Sequence, residues 1–541
     1  MTEDGDIPHL PYKKERAIMA KYLGKRLLHG LISIIIVVGI VMSLIYSLMD
    51  RNLIFAKDST YSHQKNNAKV TYSYQKWEEY GYLDYVTYED YIQKLAKDGE
   101  IDEETRSLAI AYGRTKNDDS DIVKEYIVKF VNEYKAKGYS IKRLDAVMMN
   151  ERKCADGVQQ AIFAYKDVPL FKRLWDYFSH IITVDSVDNV KNIEGKRGIS
   201  FTWYDPVYGG EKFSPAIIGN GTTHKYLLYC DSKFPYIHQN IFTINLGTSY
   251  TVNTGVDVFT TMTQSQGSYV KSPITYPTGL TENSADDLHS ATYLKDSRSS
   301  SAVNEARFED DYTNVITHKK GFSKLGYSFI IGIISIVLSY LIGVPMGILM
   351  ARKKDKLIDK IGTFYVVFII SVPSLAYIFL FKAIGGSLGL PTTFDMDSDG
   401  KLMYILPIIS LALPVIGSLM RWLRRYMIDQ MNADYVKFAR AGGLTENEIF
   451  SKHILKNAII PIVHDIPGQV LFALVGAIVT ESVYVVPGAG NLLTQAISRY
   501  DNGVIVGVAL FYAVLSVVSL FLGDILMAMV DPRISFSEKD R

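Results

Sequence analysis

Long apolar runs stand at the start of the chain and in its last third, and a polar stretch from Arg51 to about Ser323 separates them. The first run, residues 27–49, is uninterrupted and would span about 35 Å as a helix, enough to cross a bilayer. Basic residues precede it and predict a cytoplasmic N-terminal segment over residues 1–26. A cleaved signal peptide is the competing interpretation. Because the run is too long for a signal core and lacks a small-residue cleavage site, we predict a retained first span.

Five further apolar segments occupy residues 325–530. They are 325–350, 361–381, 404–420, 466–479 and 504–529. Lys and Arg cluster after the first and the third of these segments, which marks those ends as cytoplasmic. The pattern predicts an α-helical polytopic membrane protein with six transmembrane helices and a cytoplasmic C-terminus over residues 531–541.

The polar middle, residues 50–324, contains no segment that could span a membrane, so we expect it to be an extracytoplasmic domain. Apolar residues at helical spacing predict helices over 77–97, 103–112 and 121–137. Short runs of Gly, Pro, Thr and aromatic residues over 198–276 are more typical of strands and loops, which gives a mixed α/β domain. The polar, Ser-rich part at about 286–311 is predicted to be flexible. Cys154 and Cys230, the two cysteines, could form a disulfide there or stay as free thiols.

A polar, cationic stretch, residues 434–461, lies between the apolar segments 404–420 and 466–479. Gly442 and Gly443 are suited to ending a helix, since glycine accepts a left-handed backbone. Thr445 and Glu448 have the spacing of a capping box that opens a second helix, and Pro461 is expected to stop it. The apolar and polar side chains expected on one face of that helix are Ile449, Phe450, His453, Ile454 and Asn457. This helix–turn–helix between two spans is suited to docking onto a cytoplasmic partner.

The same stretch resembles the cytoplasmic coupling loop of ATP-binding-cassette (ABC) importer permeases, in the branch that carries oligopeptides, dipeptides and nickel. Residues 439–444 read ARAGGL and residues 453–461 read HILKNAIIP, both similar to that branch's motifs. The resemblance implies ATPase coupling by Ala439, Arg440, Ala441, Gly443, His453, Leu455, Asn457 and Pro461. The superfamily's opening Glu-Ala-Ala is replaced by Lys437-Phe438-Ala439, so no role can rest on its acidic residue. The alternative is a generic amphipathic surface helix.

Two further stretches resemble this family. Residues 245–250 and 256–258 are similar to elements that precede its second span, and the long insertion is similar to that of Gram-positive oligopeptide permeases. Residues 481–490, ESVYVVPGAG, are similar to a motif after its fifth span. A carboxylate at a span end is costly unless it faces water or a partner, so we interpret Glu481, Pro487 and Gly490 as a possible pathway or gate. Simple anchoring of Glu481 at the interface is the alternative.

The resemblance implies the type I ABC importer fold and a set of partners. These are a second, related permease subunit, two cytoplasmic ATPases that bind ATP and Mg²⁺, an extracytoplasmic substrate-binding lipoprotein, the oligopeptide substrate and membrane lipid. The sequence has no phosphate-binding G-x-x-x-x-G-K-[ST] loop, so no cofactor is expected in this chain and no enzymatic activity is predicted for it. The net charge of +1 gives no indication of nucleic-acid binding.

Three alternatives stay open. Nickel or dipeptide import is the runner-up within the importer class. A membrane-anchored extracytoplasmic sensor should have a cytoplasmic output domain, and a membrane-bound enzyme should have a catalytic triad or metal site in the insertion; neither is visible in the sequence. Asp395, Asp397 and Asp399 match the first half of a calcium loop, but Leu406 stands where the bidentate Glu belongs, so a solvated turn is favoured and no metal site is predicted.

Overall fold

The computed structural model describes residues 12–114, 120–144, 147–148, 158–159, 162–190, 193, 195–208, 210–230, 237–293, 301–308, 313–396 and 400–530. Predictions that concern Cys154, Asp397, Asp399 or the two terminal segments lie at least in part outside this range. The first element is helix α1, Tyr12–Leu48. Its buried side chains recur every three or four residues, at Ile34, Val38, Met42 and Ile45. This stripe packs against the last helix of the chain, described below, while the rest of the apolar surface stays exposed.

The first half of the insertion packs helices around a small antiparallel sheet with strand order β1-β5-β2. Its elements are α2 Ser59–His63, α3 Asn66–Glu79, β1 Leu83–Thr87, α4 Tyr88–Lys97, α5 Glu103–Arg114, α6 Asp121–Ala136, β2 Ser140–Arg143, β3 Val147–Met148, β4 Val158–Gln159, β5 Ile162–Asp167 and α7 Leu170–Ser179. A 3₁₀ helix, Arg51–Phe55, links α1 to this region.

The predicted helices over 103–112 and 121–137 correspond to α5 and α6. The helix predicted over 77–97 is wrong, because strand β1 divides it into α3 and α4. Gly81 has φ +69°, which ends α3 in a turn. Leu83 and Tyr85 then alternate toward the core, and this period of two is that of a strand.

The second half of the insertion is mostly β-structure, as predicted. Its elements are β6 Ile182–Val184, β7 Gly198–Thr202, β8 Ala216–Asn220, β9 Tyr226–Cys230, β10 Ile237–Gln239, β11 Phe242–Ile244, α8 Val258–Thr263, β12 Ser272–Thr275, β13 Thr281–Ser284, β14 Asp286–Thr292, α9 Ser301–Phe308 and β15 Asn314–Thr317. The largest sheet has the order β10-β9-β8-β7 and is antiparallel.

The segment 286–311, predicted to be flexible, contains β14 and α9 where the structure describes it. Arg307 on α9 donates hydrogen bonds to Asp286 (2.9 Å) and to Glu282 (2.6 Å). The Tyr276 hydroxyl donates to the same Asp286 carboxylate at 2.9 Å. Because polar composition alone suggested flexibility, the prediction missed these half-buried ion pairs, which fix the strand and the helix to each other.

The last third consists of helices joined by loops and turns. Its helices are α10 Lys324–Arg352, α11 Leu357–Ser371, α12 Ser374–Ser387, α13 Ile405–Met431, α14 Asp434–Ala441, α15 Glu446–Glu448, α16 Lys456–Ala458, α17 Ile460–His464, α18 Ile466–Tyr484, α19 Ala489–Ser498 and α20 Asn502–Val530. α10 packs along α13, and α1 packs along α20. Gly343 and Gly347 on α10 allow the close approach to Leu419 and Leu423 on α13.

Within the described residues, four helices are long and apolar enough to cross a membrane. They are Gly24–Leu48, Lys324–Arg352, Lys401–Met431 and Asn502–Met527. The segment predicted as a span over 361–381 is instead two helices, α11 and α12, which meet at an angle of 110°. Val372 is extended before Pro373, as expected because a proline ring disfavours helical geometry in the residue before it. The fifth predicted span falls in α18, which has 19 residues. Six spans therefore remain a prediction.

Candidate functional site

The first part of the coupling loop, residues 434–461, folds as the sequence predicts. Helix α14 ends at Ala441, with Gly442 as its C-cap. Gly443 has φ +83° and donates its backbone N–H to the Arg440 carbonyl at 3.1 Å. A left-handed residue at this point is the usual way to close a helix, and it turns the chain toward the second helical segment.

The predicted capping box is present at the start of that second segment. The Thr445 N–H donates to the Glu448 carboxylate at 3.1 Å, and the Glu448 N–H donates to the Thr445 hydroxyl at 3.4 Å. The hydroxyl also donates to Glu448, and these bonds hold the pKa of the carboxyl below its ordinary value. Arg440 and Glu446 pair across the turn at 2.6 Å, and this contact likewise lowers the pKa of Glu446. Both pairs are exposed, so they shape the loop without anchoring it.

The second segment continues as a π-helix, Ile449–Leu455, and then as α16. Ile449 and Ile454 are buried, while Phe450, His453 and Asn457 are half-buried. The face predicted from the sequence is therefore mainly the one that packs on the helix core around α13. The outward surface of the loop is formed by other residues.

The outward surface consists of the tip of the loop. Arg440, Ala441, Gly443 and Leu444 are exposed, and the Phe438 ring is 76% exposed. Ala439, Leu455 and Pro461 are half-buried. Phe438 occupies the part of the superfamily motif where this chain departs from Glu-Ala-Ala.

Pro461 does not stop the helix, contrary to the prediction. The break comes at Ile459, and Pro461 lies in the first turn of α17. Proline is well accommodated there, because the first N–H groups of a helix have no partner within the helix. The chain thus passes from the loop into α18 through short helical segments.

The loop is also held to the end of α10. The Arg352 guanidinium donates a hydrogen bond to the Asn447 side chain and lies 5.4 Å from the centre of the Phe450 ring. Deeper between the helices, Arg424 on α13 donates to both carboxylate oxygens of Asp359 on α11, at 2.6 and 2.7 Å. The loop therefore contacts the end of α10 directly, and α11 is held to α13 by a separate ion pair.

Glu481 does not line an open pathway in this structure. Its side chain is completely buried. One carboxylate oxygen accepts the Ser328 hydroxyl of α10 at 2.5 Å, and the other accepts the Asn491 N–H of α19 at 2.9 Å. The Ser328 hydroxyl in turn accepts the Ala489 N–H at 2.9 Å. The carboxylate thus satisfies the free N–H groups at the start of α19, so its cost inside the protein is offset without water.

The rest of the 481–490 motif supports this arrangement. A side chain at Gly488 would overlap the Glu481 carboxylate, and one at Gly490 would overlap the backbone of Ile478. Pro487 is half-buried beside them. Val485 closes α18 with φ +57°, a strained conformation for a β-branched residue. Glu481 and Gly490 thus have a packing role in this structure, and the gate stays a prediction.

A second buried carboxylate, Asp501, was not predicted. It precedes α20 and accepts the backbone N–H groups of Tyr250, Thr251 and Val252 at 2.8–2.9 Å, together with the Ser249 hydroxyl at 2.7 Å. It also accepts the Val504 N–H of α20 at 3.2 Å. Asp501 thereby joins the insertion to the last helix. We refer to Glu481 and Asp501 with their donors as the carboxylate junction.

Other contacts reinforce the attachment of the insertion at this point. The Tyr250 and Tyr80 rings stack with centroids 3.8 Å apart. The Asn502 side chain donates to the Tyr82 hydroxyl at 2.8 Å. A side chain at Gly503 would overlap the backbone of Thr248. The predicted family element at 245–250 is therefore the segment that packs on α20. The sequence contained one indication of the buried contact of Asp501, because an aspartate directly before an apolar span needs a partner.

Two of the predicted sites lie partly outside the described residues. Asp395 lies in the described part of the chain, but Asp397 and Asp399 do not. Among the described residues, no group of three His, Cys, Asp or Glu side chains is arranged to hold a metal ion. Cys230 ends β9 and is half-buried, whereas Cys154 lies outside the described residues, so the disulfide stays a prediction.

Comparison with known proteins identifies the family. Residues 343–536 match the family model described as "Binding-protein-dependent transport system inner membrane component". The oligopeptide transport system permease protein AmiC of Streptococcus pneumoniae is 32% identical over 528 residues, which cover 96% of this chain and 99% of that protein. The dipeptide transport system permease protein DppB of Lactococcus lactis is 33% identical over 225 residues, 41% of this chain and 73% of that protein.

A solved structure of the MetNI methionine ABC transporter covers 38% of this chain and 94% of its own, with a TM-score of 0.32 and 17% identity, too low to support an argument. The match to AmiC over almost the whole of both chains is sufficient. The chain belongs to the family of binding-protein-dependent transport permeases, the non-catalytic membrane components of ABC importers.

Proposed function

We propose that this chain is the permease subunit of an ABC importer for oligopeptides. The observation that carries the proposal is the 96% coverage by AmiC, an oligopeptide transport permease, because that alignment includes the insertion as well as the helices. DppB, a dipeptide permease, matches only 41% of the chain. The match over almost the whole of both chains to a protein named as an oligopeptide permease therefore favours oligopeptides over dipeptides or nickel.

The proposed topology has six spans with both termini in the cytoplasm. The spans are α1, α10, the bent pair α11–α12, α13, α18 and α20. Residues 50–324 then lie outside the cell and the coupling loop lies inside. A second, related permease would complete the pathway, and an extracytoplasmic lipoprotein would deliver the peptide.

Two cytoplasmic ATPases would receive the coupling loop. The exposed Phe438 ring and the neighbouring Arg440–Glu446 pair offer them an apolar contact with polar surroundings. When the ATPases close on ATP, movement of the loop would pass through the Arg352–Asn447 contact to α10 and through the packed core to α13. Alternating access is then a two-state rearrangement that ATP binding and hydrolysis bias in turn.

The first test is a pull-down of the tagged, detergent-solubilised chain from its native membrane, with mass spectrometry of the proteins recovered. Two ATPases, a second permease and a binding protein are the expected partners. Recovery of the chain alone, or with a kinase, would contradict the importer assignment.

A matched pair of proline substitutions tests the role of the loop. Gly443 and Gly389 both have φ above +80°, both donate an N–H to the carbonyl three residues earlier, and neither has space restrictions around a Cβ. Proline fixes φ near −65° and removes that N–H, so each substitution distorts one turn equally. We expect Gly443→Pro to abolish uptake of labelled oligopeptide at normal membrane abundance, and Gly389→Pro to retain most of it. Equal uptake by the two variants would contradict the proposed coupling.

A further inference from the structure

Helix α7 in the insertion has an apolar face that its own fold covers only in part. At 100° per residue, Leu170, Leu174 and Tyr177 point toward α1 and the core, while Phe171 and Trp175 project from the adjoining flank. Leu174 and Tyr177 are half-buried against the cluster that contains α1, α8 and α20. Phe171 is 78% exposed and Trp175 is 67% exposed.

The position of α7 relative to the first span is defined by direct contacts. The Arg173 guanidinium lies 4.0 Å from the centre of the Tyr46 ring and donates to the Gly81 carbonyl at 2.7 Å. Tyr46 lies within the apolar section Gly24–Leu48 of α1. α7 therefore stands beside the last turns of a membrane-spanning helix, at the level where α1 exposes Leu44 and Leu48.

The chain continues from α7, through His180 and Ile181, into a two-stranded ribbon formed by β6 and β11. In its register Ile182 is opposite Ile244 and Val184 is opposite Phe242. Because side chains alternate along a strand, these four residues share one face, and Thr183 and Thr243 occupy the other. The four apolar side chains are between 40% and 62% exposed. The ribbon thus adds a second uncovered apolar face directly after the first.

We propose that α7 and the β6–β11 ribbon lie in the interfacial region of the lipid leaflet beside α1, with their uncovered apolar side chains among the upper acyl chains. Continuity with a spanning helix supports this, because α1 exposes the apolar side chains of Leu44 and Leu48 at the same level, on its side away from α7. The composition supports it also, since tryptophan and phenylalanine are favoured at this depth. Lys172 lies on the polar side of α7, where an ammonium group can reach lipid phosphates.

The proposal gives the insertion a second membrane attachment besides its chain connections to α1 and α10. Such an attachment would fix the tilt of the whole domain on the membrane surface. If this proposal failed, the transport proposal would still stand, because peptide uptake and partner recovery are measured in separate experiments. A second protein subunit covering the same surface is the main competing occupant, and the experiment distinguishes the two.

The test compares two exposed tryptophans in the full chain, reconstituted in phosphatidylcholine vesicles with or without lipid brominated near the top of its acyl chains. Trp203, 55% exposed, is the matched control for Trp175. It follows β7, the edge strand opposite β10, and therefore lies about three strand spacings, ~14 Å, from the strand that leads into the ribbon. Trp175→Phe and Trp203→Phe both replace exposed rings, so neither should disturb folding.

We expect brominated lipid to quench the wild type and Trp203→Phe alike. The fluorescence lost on adding brominated lipid should be smaller in Trp175→Phe than in the wild type. The difference should be about a quarter of the total wild-type tryptophan fluorescence, because one of four tryptophans has been removed. An unchanged quenched part in Trp175→Phe would overturn the proposal.

Photo-crosslinking in native membranes decides between the occupants. Replacing Trp175 by p-benzoyl-phenylalanine should give adducts with phospholipid. A single discrete protein adduct in place of lipid adducts would show that a subunit covers α7, and would also overturn the proposal.

Discussion

The coupling loop and the carboxylate junction use the same residue types in opposite ways. In the loop, Arg440 and Glu446 pair at the surface with side chains 57% and 71% exposed. In the junction, Glu481 and Asp501 are completely buried and are surrounded by hydroxyl and backbone N–H donors. The coupling loop leaves its side chains exposed, where a partner can contact them. The carboxylates of the junction form all of these hydrogen bonds within the chain.

The difference indicates which region stabilises the fold and which is suited to coupling with a partner. A buried carboxylate that accepts several hydrogen bonds is costly to disturb, because its donors lose their partner without gaining water. An exposed ion pair contributes little, because water and salt screen it. We therefore expect substitutions in the junction to unfold the protein and substitutions at the loop tip to uncouple it.

The largest effect is expected for Asp501→Ala. The substitution leaves four backbone N–H groups and the Ser249 hydroxyl around an empty position, and we expect a loss of about 3–5 kcal/mol in the free energy of unfolding. Thermal unfolding of the purified chain in detergent would measure it. Limited proteolysis should also cleave the insertion earlier, since Asp501 holds it to α20.

Asp434→Ala is the control for that experiment. Asp434 opens α14, and its side chain is 81% exposed in a pair with Lys437. We expect no measurable change in melting temperature. If both variants melted alike, burial would not be the property that separates the junction from the loop.

A smaller loss is expected for Glu481→Gln. Glutamine keeps the shape and one acceptor oxygen, but a neutral amide replaces the charged carboxylate that accepts from both the Ser328 hydroxyl and the Asn491 N–H. We expect a loss of about 1–3 kcal/mol. Ser328→Ala should lose a similar amount, and the double variant should lose less than the sum, because both changes remove the same bond. Strict additivity would contradict the assigned network.

The sequence was sufficient for the turn in the coupling loop, residues 442–448, because the signals there are local. Gly442 and Gly443, and the Thr445–Glu448 spacing, act within one turn of helix, and the structure confirms both. The burial of Glu481 was not predicted, for a physical reason. Its partners, Ser328 and Asn491, come from other elements, so sequence showed a carboxylate that needed a partner but not which one.

Asp501 was missed for the same reason, since most of its donors lie about 250 residues earlier in the chain. The bend between α11 and α12 was within reach of sequence, because Val372-Pro373 interrupts an apolar run. Apolar length alone favoured a single span. The division of the predicted helix at 77–97 was also available, from Gly81 and the alternation after it.

A gain in stability is expected at one position beside the junction, at the end of α18. Val485 is 56% exposed and has φ +57°, so its side chain contributes little packing and costs backbone strain. We expect Val485→Gly to stabilise the chain by about 0.5–1 kcal/mol, since relief of strain outweighs the added freedom of the unfolded state. Val483→Gly, two residues earlier and inside α18, should destabilise it instead. Destabilisation by both would mean that Val485 is not strained.

The smallest effect on stability, and the sharpest test of the comparison, is expected for Glu446→Gln in the loop. Arg440 lowers the pKa of Glu446, so the pair contributes stability only above the pKa of the unfolded carboxyl, and that contribution is lost as the pH falls through the lower folded value. Because both side chains are exposed, melting temperatures of wild type and variant should coincide at pH 7 and differ little in acid.

Peptide uptake by the assembled importer should nevertheless fall at pH 7, since the pair orients the turn that presents Phe438. Glu448→Ala removes the side-chain acceptor of the capping box on the same turn and should lower the melting temperature more than Glu446→Gln does. If Glu446→Gln lowered the melting temperature as far as Asp501→Ala does, the loop would be a structural element of the same kind as the junction, and the division between them would not hold.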